Sequence, residues 1–392
     1  MIEQVKAYIE DLKAELIALS EFIYKNPELG YQEFKSAQAH VELLKKHGFA
    51  VEEGYMGMAT AFRAEKSGDK PGPTVAFLAE YDALPDIGHG CGHNILGTTS
   101  TGAGIVLSKL LPQIGGRVVV IGTPAEETSG AKAPMAEQGV FDDIDVAMMV
   151  HPADKHARSG RSLALEAIQF TYKGRTAHAA SAPEKGVNAL DACINTFNNI
   201  NALREHIKSS ARIHGIIVEG GKAANIVPEL AIAQFYVRAT TKAYRAELVE
   251  KVKNCARGAS LAAGTELEIT NYETSYDDLA TNETLMDGYA KHLKAMGVEK
   301  LHESRKSFGS VDMGNVSHVC PAIHPYFAIS AEPLVGHTRE FAAASKTPFA
   351  YDSMVKAIGA LALTGVDVIR DQDFLAQIKE EFQNKDTIED EE

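Results

Sequence analysis

The sequence has few cysteines and no long uninterrupted apolar segment. Its four cysteines are scattered among 392 residues, which is typical of reduced thiols in a cytosol rather than of a disulfide framework. No stretch approaches the roughly 20 apolar residues that a membrane helix needs. At the N-terminus, charges separate apolar residues at helical spacing, so the segment lacks the apolar core of a signal peptide. We therefore expect a soluble, cytoplasmic protein.

Basic residues are scarce relative to acidic ones. The chain has 39 Lys and Arg against 53 Asp and Glu, a formal net charge of −14. Binding to phosphate groups needs clustered Lys and Arg, so this balance argues against nucleic acid or an anionic membrane as the main partner. It leaves open a local basic pocket that holds an acidic substrate.

The length and the order of the segments predict two domains. A chain of 392 residues is longer than one ordinary domain needs. In its first part, strand-like apolar runs alternate with helical patterns, which predicts an α/β domain with a mostly parallel sheet. The middle has the pattern of a compact α+β unit of small-domain size. The predicted division is a catalytic metal-binding domain at 1–165 and 276–392, and an inserted domain at 166–275.

Residues of metal-ligand type follow three of these apolar runs, which are 74–79, 117–122 and 146–150. After the first come Asp82, Cys91 and His93, after the second Glu126 and Glu127, and after the third His151. Because ligands of open α/β sheets bind beyond the carboxyl ends of the strands, we expect these side chains to meet at one edge. Thiolate and imidazole together suit zinc, while carboxylate and imidazole also suit manganese or cobalt.

The two adjacent glutamates suggest a division of labour at this site. One carboxylate can bind a metal ion while its neighbour takes a proton from water. Alternative interpretations remain: Cys91 as a small buried hydrophobe, His93 as a loop histidine, and the glutamates as a solvated helix face. A hydrolase with Cys91 as nucleophile and His93 as base is another alternative, although the Cys-Gly-His spacing rarely aligns such a pair. The non-enzyme alternative is a catalytically silent binding protein.

Nine short motifs are spread over nearly the whole chain. They are Asn26-Pro27-Glu28-Leu29-Gly30, Asp82-Ala83-Leu84-Pro85, His89 to Asn94, Pro124 to Glu127, His151-Pro152, Gly174 to His178, Asn225 to Glu229, Gly309 to Asn315 and Gly336-His337-Thr338. Together they resemble metallopeptidase and aminoacylase family 20, subfamily D. The last two segments are most similar to its aminobenzoyl-glutamate hydrolase and β-alanyl-lysine dipeptidase branch.

The resemblance implies a fold and an activity. The expected fold is a zinc-exopeptidase-like α/β catalytic domain with an inserted α+β lid and dimerisation domain. The expected activity is metal-dependent hydrolysis of an amide or peptide bond in small peptides or N-acyl amino acids. The attacking water would be activated by metal, and a glutamate would act as general base.

The resemblance also implies a role for each residue of the site. The metal ligands would be Cys91, His93, Glu127, His151 and His337, and they would hold two divalent ions, zinc or manganese. Glu126 would be the general base, and Asp82 would be an active-site acid that orients a ligand. His337 lies far from the other ligands in the sequence, and spacing alone does not find it.

The inserted domain would carry a dimer interface, so the resemblance implies a homodimer or a higher homo-oligomer. His178 would stabilise the oxyanion, often from the partner chain; its alternative is a surface-loop histidine. Asn225 would contact polar groups of the substrate, or simply form a turn. Arg238 would bind a substrate carboxylate, or be a strand charge paired with a glutamate.

The chain departs from the subfamily pattern at two motifs. Asn94 stands where many members have an acid, and Val311-Asp312-Met313 stands where many have Glu-Asp-Phe. Both changes leave the implied ligands intact, so they bear on substrate specificity more than on metal binding. Asp312 receives no role from the motif.

Overall fold

The computed structural model of the protein describes residues 1–304 and 309–385. These residues divide into two units. The first unit contains Met1–Arg161 and the described parts of 279–307 and 311–388. The second contains Ser162–Asp278 together with residues 309–310.

The strands and helices of the described residues are numbered in chain order. The strands are β1 (Ala50–Glu53), β2 (Phe62–Ser67), β3 (Thr74–Ala79), β4 (Arg117–Gly122), β5 (Val146–Met148), β6 (His151–Ala153), β7 (Ala164–Lys173), β8 (Arg212–Glu219), β9 (Leu230–Ala239), β10 (Glu266–Asn271), β11 (Ala322–Ile323) and β12 (Tyr326–Ala328). The helices are α1 (Ile2–Lys25), α2 (Phe34–Lys46), α3 (His93–Ser108), α4 (Leu111–Ile114), α5 (Lys132–Glu137), α6 (Ala189–Leu203), α7 (Lys242–Ala263), α8 (Glu283–Ala295), α9 (Met313–Val319), α10 (Arg339–Ala344), α11 (Pro348–Arg370) and α12 (Gln372–Gln383).

The first unit is built on a six-stranded sheet in the order β1-β2-β4-β3-β5-β11. The β4–β3, β3–β5 and β5–β11 pairings are parallel, and the two pairings at the β1 edge are antiparallel. All six residues of β3 are buried, as expected for a central strand with both faces covered. The prediction of an α/β fold with a mostly parallel sheet is confirmed.

Alternation along β3 divides the core of this unit into two apolar clusters. Val75 and Phe77 belong to one cluster, which includes residues of α1, α3, α8 and α11. Ala76 and Leu78 point to the opposite face and belong to a cluster that includes residues of α5 and α9. Because successive side chains of a strand point to opposite faces, one short apolar run joins both layers of helices to the sheet.

The second unit is an antiparallel sheet with two helices. Its strands lie in the order β10-β7-β9-β8, and every pairing is antiparallel. Along β9 buried residues alternate with less buried ones, which marks a sheet with one covered face. Helices α6 and α7 pack against that face, with Phe170, Phe235 and Leu248 in the shared core.

Two elements around the candidate site place its histidines. Helix α3 begins at His93, because Gly92 turns the chain in a left-handed conformation (φ 77°) that suits glycine. The strand predicted at 146–150 ends at Met148. His151 instead opens β6, which pairs in parallel with β12 outside the main sheet. In the described part of the chain, no helix is long and apolar enough to cross a membrane.

Close packing of α3 on the sheet generates a stability prediction. A Cβ atom at Gly104 would lie 2.3 Å from Val120 Cγ2, whereas a Cβ at Gly258 in α7 would meet no atom within 4 Å. We expect Gly104→Ala to lower the free energy of unfolding by about 1–3 kcal/mol through overpacking. Gly258→Ala, the matched control, should raise it by about 0.5–1 kcal/mol because alanine favours a helix interior. Urea unfolding followed by circular dichroism measures both, and equal effects of the two substitutions would contradict the packing argument.

Candidate metal centre

The ends of two adjacent parallel strands position four acidic residues. β3 ends at Ala79 and leads into Glu80 and Asp82. Its neighbour β4 ends at Gly122 and leads into Glu126 and Glu127. Because neighbouring parallel strands end at the same edge of the sheet, the residues that follow them lie close together.

Asp82 joins the two segments through both of its carboxylate oxygens. Oδ1 lies 2.8 Å from His93 Nδ1, and Oδ2 accepts the backbone N–H of Glu127 at 2.9 Å. The first contact holds a histidine proton on Nδ1, so that in the neutral ring the lone pair of Nε2 can bind a cation. Asp82 thus has the geometry of the predicted orienting acid.

Five predicted metal ligands come together in the first unit. Cys91 Sγ lies 3.7 Å from His151 Nε2 and 3.5 Å from His337 Nε2. Glu127 Oε2 lies 3.6 Å from His337 Nε2, and Glu127 Oε1 lies 4.0 Å from His93 Nε2. His337 reaches the group although 246 positions separate it from Cys91. It does so from a left-handed backbone conformation (φ 61°), in which its N–H donates to Gly90 O at 2.9 Å.

Several polar atoms at the centre are buried without a hydrogen-bond partner in the described chain. They are His93 Nε2, Glu80 Oε2 and Glu127 Oε1. Leaving such a group unsatisfied costs about 1–3 kcal/mol each, so the arrangement suits a group that is bound there. The possible ligand atoms form three donor sets, and within each set they all lie within 4.8 Å of one another. The sets are Cys91, His93 and His151; Cys91, Glu127 and His337; and Glu80, His93 and Glu126. Sulfur, nitrogen and carboxylate donors in these sets fit zinc or manganese.

The electrostatics of the centre also fit a cation. Burial, and then the charges of His324 and His93, lower the pKa of His151 to about 3, which keeps its imidazole neutral as a ligand must be. Burial opposes the charged form of His93, but Asp82 and Glu80 outweigh it and raise its pKa. Burial, followed by the charges of Glu80 and Glu127, raises the pKa of Glu126. Carboxylates are therefore in excess here, and a bound cation would relieve their repulsion.

The three site residues predicted in the second unit are not all neighbours. His178 forms an isolated bridge with Ile226, and Ala179 N donates to the carbonyl of Asn225 at 3.0 Å, so His178 and Asn225 lie on adjacent exposed segments. Arg238 lies near the other end of β9 from the segment that carries Asn225. Its guanidinium donates from Nη1 to Ser310 Oγ at 3.1 Å.

Similarity to known proteins identifies the family of the chain. Residues 166–262 match the peptidase dimerisation domain of the M20 family. Over 396 residues the chain is 37% identical to the Xaa-Arg dipeptidase of Mus musculus, with 96% of this chain and 91% of that protein covered. The chain belongs to the M20 peptidase family. Membership confirms the resemblance drawn from the motifs and the prediction of an enzyme of the metallopeptidase class.

Other M20 proteins and solved structures resemble the chain more distantly. It is 28% identical to one of the subunits of the p-aminobenzoyl-glutamate hydrolase of Escherichia coli, with 93% of this chain and 91% of that protein covered. An aminobenzoyl-glutamate utilization protein from Klebsiella pneumoniae shares the fold, with a TM-score of 0.73, 21% identity and coverage of 92% and 98%. A dinuclear metal-binding M20 peptidase from Bacillus subtilis also shares it, with a TM-score of 0.68, 19% identity and coverage of 92% and 100%.

The M20 chain also contains a buried charge triad that the sequence analysis missed. Lys132 is fully buried, and its Nζ lies 2.6 Å from Glu80 Oε1 and 2.7 Å from Asp312 Oδ1. The second oxygen of Glu80 lies 3.2 Å from His93 Nε2. Lys132 therefore fixes the carboxylate of Glu80 beside the metal centre. Nothing in the local sequence marks Lys132 as buried, because its partners come from distant segments.

The triad predicts a large and pH-dependent loss of stability in Lys132→Met. Burial opposes ionisation of Glu80, but Lys132, His93 and His151 outweigh it and lower its pKa to about 2. Without the lysine, less positive charge would oppose the effect of burial, so the pKa of Glu80 would rise and protonation would favour the folded variant. We expect a loss of about 3–5 kcal/mol at neutral pH, which shrinks as the pH is lowered toward about 5.

The measurement is chemical unfolding of the metal-free protein in chelator at several pH values. Lys356→Met is the matched control, since Lys356 pairs with Asp352 on the surface of α11, and it should change stability by at most about 0.5 kcal/mol. If Lys132→Met loses no more stability than Lys356→Met, or if its loss of stability does not change with pH, the triad is not ionic.

Proposed function

We propose that the chain uses two divalent metal ions, zinc or manganese, to hydrolyse an amide bond of a small peptide or an N-acyl amino acid. The observation that carries the proposal is that Cys91 belongs to two donor sets at once. With His93 and His151 it would hold one ion, and with Glu127 and His337 the other. When bound, such ions would polarise the scissile carbonyl and acidify the attacking water.

Glu126 is the proposed general base. Its side chain is 13% exposed, and its Oε2 lies 3.9 Å from His93 Nε2. It lies outside both donor sets that contain Cys91 and belongs only to the third set, with Glu80 and His93. With the ions in the two Cys91 sets, as proposed, its carboxylate stays available for proton transfer. A carboxylate at this position can take a proton from water and return it to the leaving amine nitrogen.

His178 is proposed as the oxyanion donor, and its hydrogen bonds favour the required tautomer. Nδ1 accepts the backbone N–H groups of Ala180 and Ser181 at 3.2 and 3.3 Å. The imidazole proton therefore resides on Nε2, which is free to donate to developing negative charge. The exposed side chain of Asn225 on the adjacent segment would contact polar groups of the substrate.

A dipeptide is the favoured substrate class, and a basic C-terminal residue is the first candidate. This rests on the 37% and 35% identity to the Xaa-Arg dipeptidases of Mus musculus and Homo sapiens. Aminobenzoyl-glutamate is the second candidate, on the 28% identity to one chain of its hydrolase. Arg238 would bind the free carboxylate of either substrate through its planar fork.

The alternatives to a two-metal enzyme have less support. A cysteine nucleophile needs a lowered thiol pKa, and burial raises the pKa of Cys91. A silent binding protein would have no need for the adjacent Glu126 and Glu127 with their different environments.

Dimerisation through the second unit is also proposed, and the edge strand β8 supports it. Outside β9, no strand of the described chain pairs with β8. Three consecutive apolar residues of β8, Ile216, Ile217 and Val218, are 62%, 42% and 50% exposed. An exposed apolar edge strand is a template for pairing with another chain.

Substitution of the proposed base tests the mechanism. We expect Glu126→Gln to lower kcat by about 10²- to 10⁴-fold, because its amide cannot accept the proton, while two equivalents of metal remain bound. Turnover is measured with added zinc or manganese on dipeptides ending in Arg or Lys, N-acetyl amino acids and aminobenzoyl-glutamate. Metal content is measured by elemental analysis after dialysis. Glu127→Gln, the matched control, should lose metal as well as turnover. Near-normal turnover of Glu126→Gln would refute the assigned base.

A second substitution tests the interface. We expect a dimer in solution, and we expect Ile216→Lys to shift it toward monomer because a charge is placed at the apolar edge. The control is Leu261→Lys in α7, which alters a residue that is 86% exposed on the helix beside β10 and should leave the dimer intact. Light scattering measures the mass, and turnover should fall with the dimer fraction. A fully active monomer would contradict catalysis by the partner's His178.

A further inference from the structure

The turn that precedes the two glutamates has an unusual backbone. Ala125 adopts φ 64°, a left-handed conformation that disfavours residues with a Cβ atom. Its carbonyl accepts the N–H groups of Thr128 at 3.2 Å and Gly130 at 2.8 Å, which closes a turn around Glu126 and Glu127. The direction of the chain at Glu126 and Glu127 therefore depends on Ala125 keeping this unfavourable backbone conformation.

A buried carboxylate from the N-terminal region holds this residue. Glu33, whose side chain is inaccessible to solvent, accepts the N–H of Ala125 through Oε1 at 2.8 Å. Its other oxygen accepts the hydroxyl of Thr60 at 2.9 Å. Since a buried carboxylate is costly unless it is hydrogen-bonded, both contacts fix the side chain of Glu33 against the turn.

The neighbouring Gly30 presses on the same turn. A Cβ atom there would lie 2.6 Å from Thr128 Oγ1, 2.9 Å from Ala125 Cβ and 3.0 Å from Ala125 Cα. Glycine is thus required for the chain to approach this closely. The side chain of Glu28 in turn accepts the N–H groups of Lys35 and Ser36 in α2. The proposed mechanism does not use the motif from Asn26 to Gly30. The motif is nevertheless packed against the turn that contains Glu126, the proposed general base.

We propose that Glu33 is a positioning residue that, together with Gly30, clamps Ala125 in its left-handed conformation and so aims Glu126 into the metal centre. The inference rests on the proposed function in giving Glu126 a catalytic role. The clamp itself does not depend on that role, because it is a contact between Glu33 and the backbone of the turn. The side chain of Glu33 accepts hydrogen bonds from Ala125 and Thr60, neither of which is a proposed metal ligand.

Three substitutions distinguish the proposed hydrogen-bonding role of Glu33 from a requirement for a buried carboxylate of any kind. Glu33→Gln keeps an acceptor for Ala125 N–H and can donate to the Thr60 oxygen, whereas Glu33→Ala removes both contacts. Ala125→Gly removes the cost of the left-handed conformation. It should therefore compensate for the loss of the clamp and do little when the clamp is present.

The test combines these variants in the full-length protein. We expect Glu33→Ala to lower kcat by on the order of 10- to 100-fold, since a small misplacement of a catalytic group has effects of this size, with KM changed less than about threefold. Glu33→Gln should stay within about threefold of the wild type. Adding Ala125→Gly to Glu33→Ala should recover about tenfold in kcat. Thr60→Val removes the other contact of Glu33 but keeps the acceptor for Ala125 N–H, so it should lower kcat less than Glu33→Ala does.

Hydrogen–deuterium exchange of the metal-free protein gives a readout that is independent of activity. In Glu33→Ala, peptides that cover 121–130 should exchange at least about tenfold faster, because the Ala125 N–H loses its acceptor; in Glu33→Gln they should not. If Glu126→Gln proves fully active, the proposed function fails while this measurement still decides the clamp. Unchanged exchange and unchanged kcat in Glu33→Ala would overturn the inference.

Gly30→Ala keeps the inference testable if Glu33→Ala does not fold. It removes no charge, and it displaces the turn by contact with Ala125. A fall in kcat with faster exchange over 121–130 supports the clamp, and wild-type values of both quantities overturn it.

Discussion

The two hydrogen bonds of Asp82 are the contact on which the site depends. One orients the imidazole of His93 and the other fixes the backbone of Glu127, so a single carboxylate ties the end of β3 to the segment after β4. Parallel pairing of these strands brings the two ends together, but pairing alone leaves the loops beyond them free to move. Asp82 removes that freedom where donors for a cation converge.

The same edge of the sheet concentrates negative charge that the protein balances in two ways. Lys132 lies between Glu80 and Asp312 and neutralises part of it permanently. Among the described residues, no lysine or arginine pairs with Glu126 or Glu127, and Glu127 Oε1 is buried without a hydrogen-bond partner beside the donor sets. Lys132 therefore supplies fixed positive charge at one position, and a metal ion bound as proposed would supply it at another.

Local sequence patterns predicted the regular elements well and the special backbone poorly. The runs at 74–79 and 117–122 coincide with β3 and β4, because buried parallel strands are continuous apolar segments. The grouping of acids and histidines after them followed from the same rule. His337 came only from family resemblance, since Cys91, its neighbour in space, is 246 positions away. The burial of Lys132 and the left-handed Ala125 could not be predicted, because contacts from distant segments hold both against their intrinsic preferences.

The separation of Cys91 from His337 has a consequence for how the protein is made. A nascent chain that has emerged from the ribosome only as far as the second unit already carries Cys91, His93, Glu127 and His151, whereas His337 has still to be synthesised. The donor set of Cys91, His93 and His151 is therefore present long before the set that needs His337. One proposed ion position therefore uses only residues that are synthesised before the second unit, whereas the other also needs His337, which is synthesised after it.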